Sequence, residues 1–284
     1  MKMKMAIHTV FILKENILFL EEWIYYHILL GFNKFYLYDN SKVIKSGGCH
    51  PNHKCFKPGK VNKYGANYDK IVNMTDTQMN QYVQKLCEKY KCIEIIEWSP
   101  TDKEGNILHN QSEAHNHCLK ILKRDTIDWC ATIDMDEYIV INNFDNIEKY
   151  ISSLPSKISN IRLGQLRFDS RFNNLDKLVT DITNAEIIDI QRNHSNKNIY
   201  KVENTIRMNV HAVWTNKYGY EYLPSTKDIW FNHYKLSHNK FKSSNNNIHV
   251  NKFKSSNNNI HVNIKTKLNK DLFIPFPSRI HLFI

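Results

Sequence analysis

The sequence predicts an α/β protein built on a mixed, mostly parallel sheet flanked by helices. Three observations predict it. Apolar runs alternate with amphipathic helical stretches from residue 7 to residue 141. The first joints between them are short, which implies parallel crossover units. An acidic cluster, Asp134-Met135-Asp136-Glu137, follows the apolar run Trp129-Cys130-Ala131-Thr132-Ile133, at the kind of strand end where open α/β sheets place ligands.

In chain order, residues 7–13 read as a buried strand. Residues 16–30 read as a helix with Leu20, Trp23, Ile24 and Ile28 on one stripe. Glu21 and Glu22 suit the positive end of its dipole, and Gly31 suits its C-cap. Residues 34–38 form a second strand that ends in Asp39-Asn40-Ser41. Residues 42–74 look like an irregular insertion. A helix is expected over 75–90, with Met79, Tyr82, Val83, Leu86 and Tyr90 at helical spacing, then a strand over 92–98. The next helix, 112–123, turns Ala114, Cys118, Ile121 and Leu122 inward, and the strand leading to Asp134 follows. Asp145 with Glu148 reads as a capping box for a short helix through Leu154. Strands are expected at 161–168, 199–208 and 210–214.

The chain has 284 residues, 42% of them hydrophobic and 12% aromatic, so a core can form despite a mean hydropathy of −0.53. The net charge of +11 favours polyanionic or phosphorylated partners over basic ones. Lys and Arg do not gather into a nucleic-acid tail, so no specific nucleic-acid partner is expected. No apolar run reaches the ~18 residues of a membrane span. The N-terminal apolar stretch runs into Lys14 and Glu15 without a small-residue cleavage site, as a core strand would. Six scattered cysteines read as free thiols, which points to a soluble, cytoplasmic protein. Residues 239–250 recur as 251–262. Two copies are too few for a solenoid, so residues 1–238 are expected as one domain and 239–284 as a poorly ordered, low-complexity tail.

The chemistry centres on Asp134 and Asp136. Two carboxylates in an i, i+2 relation at a strand end can face one cleft and hold Mn²⁺ or Mg²⁺, which prefer oxygen ligands. Such an ion stabilises a departing diphosphate. The bland alternative is a pair of solvated turn acids, but the apolar flanks disfavour unpaired charge there. Haloacid-dehalogenase phosphatases also use Asp-x-Asp, but with Thr or Val where Tyr138 stands here. Asp39 can bond a ribose or serve only as a turn residue. His233 can complete a metal site or simply pack, and His27, His115 and His117 are expected to pack. Cys49, His50, His53 and Cys55 match no familiar zinc spacing.

The stretch from Lys14 to Asn40, with Glu22-Trp23, Tyr26-His27, Leu30-Gly31 and Tyr38-Asp39-Asn40, resembles the opening of family 92 glycosyltransferases. Asp134-Met135-Asp136-Glu137-Tyr138 resembles that family's Asp-x-Asp-Glu-Phe. Lys201, His211 and His233-Tyr234-Lys235-Leu236-Ser237 resemble its later landmarks, so the resemblance spans about residues 7–240. Two departures stand out. Glu15-Asn16 inverts an Asn-Glu order, and Asp169 occupies a position where glycine is expected.

The resemblance implies a GT-A, Rossmann-like fold, a nucleotide-sugar donor such as a UDP-sugar, a glycan or glycoprotein acceptor, and a divalent metal. It places Asp134, Asp136 and His233 at the metal. It places Lys14, Asp39, Asn40 and Lys201 at the nucleotide sugar. It also implies inverting transfer, often of galactose, for which Asp169 and Glu137 are candidate bases. The Asn-, Lys- and Ile-rich composition is that of an AT-rich genome, such as that of a giant virus. The rival expectation is a non-catalytic basic protein of the same fold that binds a polyanion.

Overall fold

The computed structural model describes residues 2–43, 74–167, 178–181, 197–225 and 228–234. The expected tail, the Cys49–Cys55 cluster, Asp169 and nearly all of the 42–74 insertion lie outside them.

Strand β1 (Met5–Phe11) is buried at every position. Met5, Ile7 and Phe11 enter one apolar cluster, and Ala6 and Val10 enter another. A strand buried on both faces needs a layer on each side, which explains its continuous apolar run. It pairs in parallel with β2 (Lys34–Asp39) and β4 (Trp129–Thr132), and β2 pairs in parallel with β3 (Ile93–Glu97). The sheet continues through β5 (Glu137–Ile141), β6 (Ile158–Arg167), β7 (Lys197–Lys201) and β11 (Ile229–His233), in the order β3-β2-β1-β4-β7-β6-β11-β5. Strand β7 runs antiparallel to β4 and β6, and β5 runs antiparallel to β11. β10 (Tyr220–Tyr222) pairs with β6, while β8 (Thr205–Met208) and β9 (Val213–Thr215) form a separate ribbon.

This is the mixed, mostly parallel α/β sheet that the sequence predicts. Strand order reverses at β1, which lies between β2 and β4. The carboxyl ends of these strands therefore border the crevice where such sheets bind ligands. The sheet also curls. In a flat sheet β4 and β5 would lie about 19 Å apart, four strand spacings. Residues 133–136 bridge them through a turn closed by the Glu137 N–H on the Asp134 carbonyl, 3.1 Å.

The helices α3 (Asp76–Lys89) and α4 (Gln111–Arg124) match expectation within one residue at each end. The first expected helix does not form as one piece. The chain makes α1 (Leu13–Asn16), turns, and then makes α2 (Leu20–Leu30). Ile17 and Phe19 are both buried, yet two helical steps would set them about 200° apart, so one straight helix cannot bury both. Gly31 adopts φ 111° at the C-cap of α2, as predicted. The cap of α5 (Ile147–Ser152) is Asn146, whose side chain accepts the Lys149 N–H. Glu148 instead accepts the Met3 N–H across the fold, which corrects the expected Asp145–Glu148 box.

Glu21 and Glu22 also do more than sit in a dipole. Glu21 receives Lys89 Nζ and the hydroxyls of Tyr82 and Tyr90. Glu22 receives the Val179 and Thr180 N–H groups. Both carboxylates are buried, and these partners replace water. Cys87, Cys92, Cys118 and Cys130 are free thiols.

Candidate active site

The acids of residues 134–137 sit in the turn between β4 and β5 and divide into two groups. Asp134 is the exposed one, with 41% of its side chain open to solvent. Its Oδ2 lies 2.7 Å from Lys197 Nζ, and its N–H donates to Glu137 Oε2 at 2.8 Å. Lys197 Nζ also lies 3.3 Å from Glu137 Oε2, so one buried ammonium bridges two carboxylates. Burial alone would lower the Lys197 pKa, but Asp134 and Glu137 hold it above its ordinary value. Burial likewise pushes Glu137 upward against the pull of Lys197.

Asp136 turns the other way. Its Oδ2 lies 3.2 Å from His233 Nε2, and its carbonyl accepts the Tyr234 N–H at 2.9 Å. The register explains the meeting: His233 faces Glu137 across the β5–β11 pair. Gln165 Nε2 lies 2.8 Å from His233 Nδ1. With Nδ1 accepting from that amide, Nε2 carries the proton and donates to Asp136. Burial would lower His233, but Asp136, with Glu137 and Asp134 behind it, holds it above its usual value. Burial works against ionisation of Asp136, and His233 and Lys197 nonetheless keep it below the usual carboxylate range.

Glu15, on α1 just past β1, lies near enough to feel Asp136. Burial first, then that charge, pushes its carboxyl up to about 7. His8 and His109 in turn feel the charge of Asp134. Asp39 closes β2 and accepts both the N–H and the hydroxyl of Ser41, whose Oγ accepts the Leu13 N–H. That linkage ties the end of β2 to the start of α1.

The expected site residues therefore separate. Asp134, Asp136, Glu137 and His233 come together. Asp39 and Lys14 lie at the same carboxyl edge, Lys14 half-buried on α1. Asn40 is buried and committed inward: its amide donates to the Trp98 and Leu108 carbonyls, and Oδ1 meets His109 Nδ1 at 2.8 Å. It braces the loop between β3 and α4.

Lys201 is not brought to the cluster. It faces Trp129, at the opposite end of β4, and pairs with Glu203. Lys197 stands at the site in its place, because β7 is antiparallel to β4 and its first residue lies at the carboxyl edge. Sequence reading missed Lys197 and Gln165, and it noted Glu15 only as part of an inverted motif. The one available signal was a lysine two residues before the strand expected at 199, which must find a carboxylate if it is buried.

Glu137 is ill-placed to take a proton from an acceptor, since it is 2% exposed and held by Lys197 and the Asp134 N–H. Among the described residues no three His, Cys, Asp or Glu side chains already converge as a metal cage. The donor set still fits a hard divalent cation. Such ions, when they serve nucleotide substrates, use one or two carboxylates and take further ligands from phosphates and water. Imidazole suits ions of the Mn²⁺ type.

A search of curated protein sequences finds no match to the chain. Three solved structures resemble it loosely. TarS from S. aureus is 14% identical, with 82% of this chain and 37% of that chain covered at a TM-score of 0.38. A cytidylyltransferase from Leptospira borgpetersenii is 11% identical, with 72% and 61% covered at 0.27. A glucose-1-phosphate thymidylyltransferase from Bacillus anthracis, solved with sucrose, is 13% identical, with 71% and 72% covered at 0.30. The chain thus spans little more than a third of the length of TarS.

The sequence profile of glycosyltransferase family 92 matches residues 62–272. That span begins after the Lys14–Asn40 stretch. It includes the acidic turn, Gln165, Lys197 and His233, and on that match the chain belongs to glycosyltransferase family 92.

Proposed function

We propose that this protein transfers a hexosyl group, with inversion, from a nucleoside-diphosphate sugar to a hydroxyl of a glycan or glycoprotein. The donor is read as a UDP-sugar and the ion as Mn²⁺ or Mg²⁺. The observation that carries this reading is the pairing of Asp136 with His233, in the same turn as Asp134, at the carboxyl edge of β1 and β4, beside the switch point of the sheet.

Asp136 and His233 are the donors for the ion, and Asp134 lies beside them, paired with Lys197. When bound, it neutralises the negative charge that grows on the departing diphosphate. The protein's own groups prepare that place. Gln165 holds the His233 ring through Nδ1. For Nε2 to act as a ligand, its proton moves to Nδ1, and Gln165 turns its amide oxygen towards that nitrogen. Asp39, at the end of β2, would meet the nucleoside, and Lys14 lies on the adjoining turn of α1. Trp23 holds the turn from below by donating Nε1 to the Glu137 carbonyl at 2.8 Å.

Calorimetric titration of nucleoside diphosphates and nucleotide sugars, with Mn²⁺ and with EDTA, tests this on wild type and Asp136→Ala. Binding is expected only with the ion, and Asp136→Ala is expected to weaken it by about tenfold or more. A folded wild type that binds no donor would overturn the reading. If it then bound DNA with steep salt dependence, the basic-scaffold alternative would take its place.

A further inference from the structure

Three carboxylates crowd residues 134–137, and the fold treats them unequally. Lys197 Nζ lies 2.7 Å from Asp134 and 3.3 Å from Glu137, with only 4% of its side chain exposed. Its place is set by register: it is the first residue of β7, opposite Leu163 and one step beyond the Asn198–Thr132 pair that closes β4. Asp136 is directed away, onto His233, while the backbone of Tyr234 holds its carbonyl. An ammonium that bridges two carboxylates stands where an ion shared by those same carboxylates would have to stand.

We propose that Lys197 is a positioning residue acting as a resident cation, which withdraws Asp134 and Glu137 from ion binding and confines a divalent ion to Asp136 and His233. The role of that ion in catalysis rests on the transferase reading; its place is read from the side chains alone. A positive charge so close also repels a second cation. One carboxylate and one imidazole form a thin ligand set, so the nucleotide-free protein should hold the ion weakly and rely on phosphate oxygens to complete the shell.

Free Mn²⁺ counted by electron paramagnetic resonance, during titration of nucleotide-free protein, tests this. Lys197→Met is expected to bind Mn²⁺ at least about tenfold more tightly than wild type, because the repelling charge is gone and Asp134 is released. Lys197→Arg keeps the charge and is expected to stay near wild type. Lys197→Met leaves Glu137 buried without its counter-charge and so risks misfolding. The double variant Lys197→Met/Glu137→Gln removes both charges and is expected to show the same gain. Asp134→Asn should leave the weak wild-type affinity nearly unchanged, and Asp136→Asn should lose it.

A wild type without measurable binding beside a Lys197→Met protein that binds supports the proposal. Equal or weaker binding by folded Lys197→Met and by the folded double variant, or none in any variant, overturns it. So does an Asp134→Asn protein that loses the ion as fully as Asp136→Asn. Nucleotide is absent throughout, so failure of donor binding in the earlier titration leaves these outcomes readable.

Discussion

At the scale of single residues, Lys197 and Lys201 open and close one five-residue strand and meet opposite fates. Lys197 is buried against Asp134 and Glu137, while Lys201 pairs with the exposed Glu203 at the far end of β4. Four residue steps along the strand separate them, about 13 Å. Lys201→Ala is therefore expected to change donor affinity by less than about twofold, since an exposed pair contributes little and stands away from the crevice. Calorimetry of that variant beside Asp136→Ala checks it, and a loss comparable to that of Asp136→Ala would return Lys201 to the donor site. Asp134 and Asp136 were legible in the sequence because acids directly after an apolar strand announce a strand-end site. Lys197 was not, because only the antiparallel register of β7 brings it there, and register is a pairing between segments far apart in the chain. Glu21 and Glu22 show the same limit: their position at a helix start was readable, but Lys89 and Thr180, their distant partners, were not.

At the scale of elements, α2 does the work of a neighbouring strand for β5. β5 ends the sheet order, with β11 on one side only. Along its backbone, Trp23 Nε1 donates to the Glu137 carbonyl and Tyr26 OH to the Ile139 carbonyl, each at 2.8 Å, and His27 Nε2 accepts the Ile139 N–H at 3.3 Å. Three side chains from one helical turn thus satisfy an edge that would otherwise need water or another chain. The spacing Trp23, Tyr26, His27 follows from helical periodicity, and the apolar stripe was legible for that reason. The hydrogen bonds were hidden, so His27 read only as a packed residue. Tyr26→Phe keeps the ring and removes one donor, leaving a buried carbonyl short of a partner. It is expected to lower the free energy of unfolding by about 1–3 kcal/mol, read as a fall in the urea midpoint at unchanged slope. Gly31→Ala tests the end of the same helix. At φ 111° an added Cβ is strained and would meet Asn146 and Ile147 at 3.3 Å, so a loss of at least about 1 kcal/mol is expected in the same urea assay.

At the scale of the whole molecule, the fold buries imidazoles on both faces of its sheet, and this sets how it responds to acid. His8 lies on the α4 face, where its Nδ1 donates to the Tyr36 carbonyl and its Nε2 accepts from His115 at 2.8 Å. His27 lies on the α2 face, where Nδ1 donates to the Trp23 carbonyl and Nε2 accepts from Ile139. Each ring is fixed as a neutral tautomer, and a second proton on His27 would point at an N–H. Burial pushes His8 and His27 each down to about 3, and the hydrogen bonds to Tyr36 and Trp23 offset that only in part. His115 is likewise lowered by burial and by His8. In the unfolded chain such groups titrate near 6.5. Between about 3 and 6.5 the unfolded state therefore binds more protons than the folded one. Stability from these groups is complete above 6.5 and is lost as pH falls through that window. Each imidazole that stays neutral only in the folded state adds about 1.4 kcal/mol per pH unit to the slope. Glu15 and Glu137, pushed up to about 7, and the raised His233 act in the opposite sense over the same range, so the test is a comparison. In urea unfolding from pH 7 to pH 5, His27→Gln, which still offers a donor and an acceptor, is expected to lie about one such increment below wild type in the slope of stability against pH. An unchanged slope in that variant would mean that His27 already carries its proton in the folded protein, and that α2 and β5 meet through a different set of hydrogen bonds.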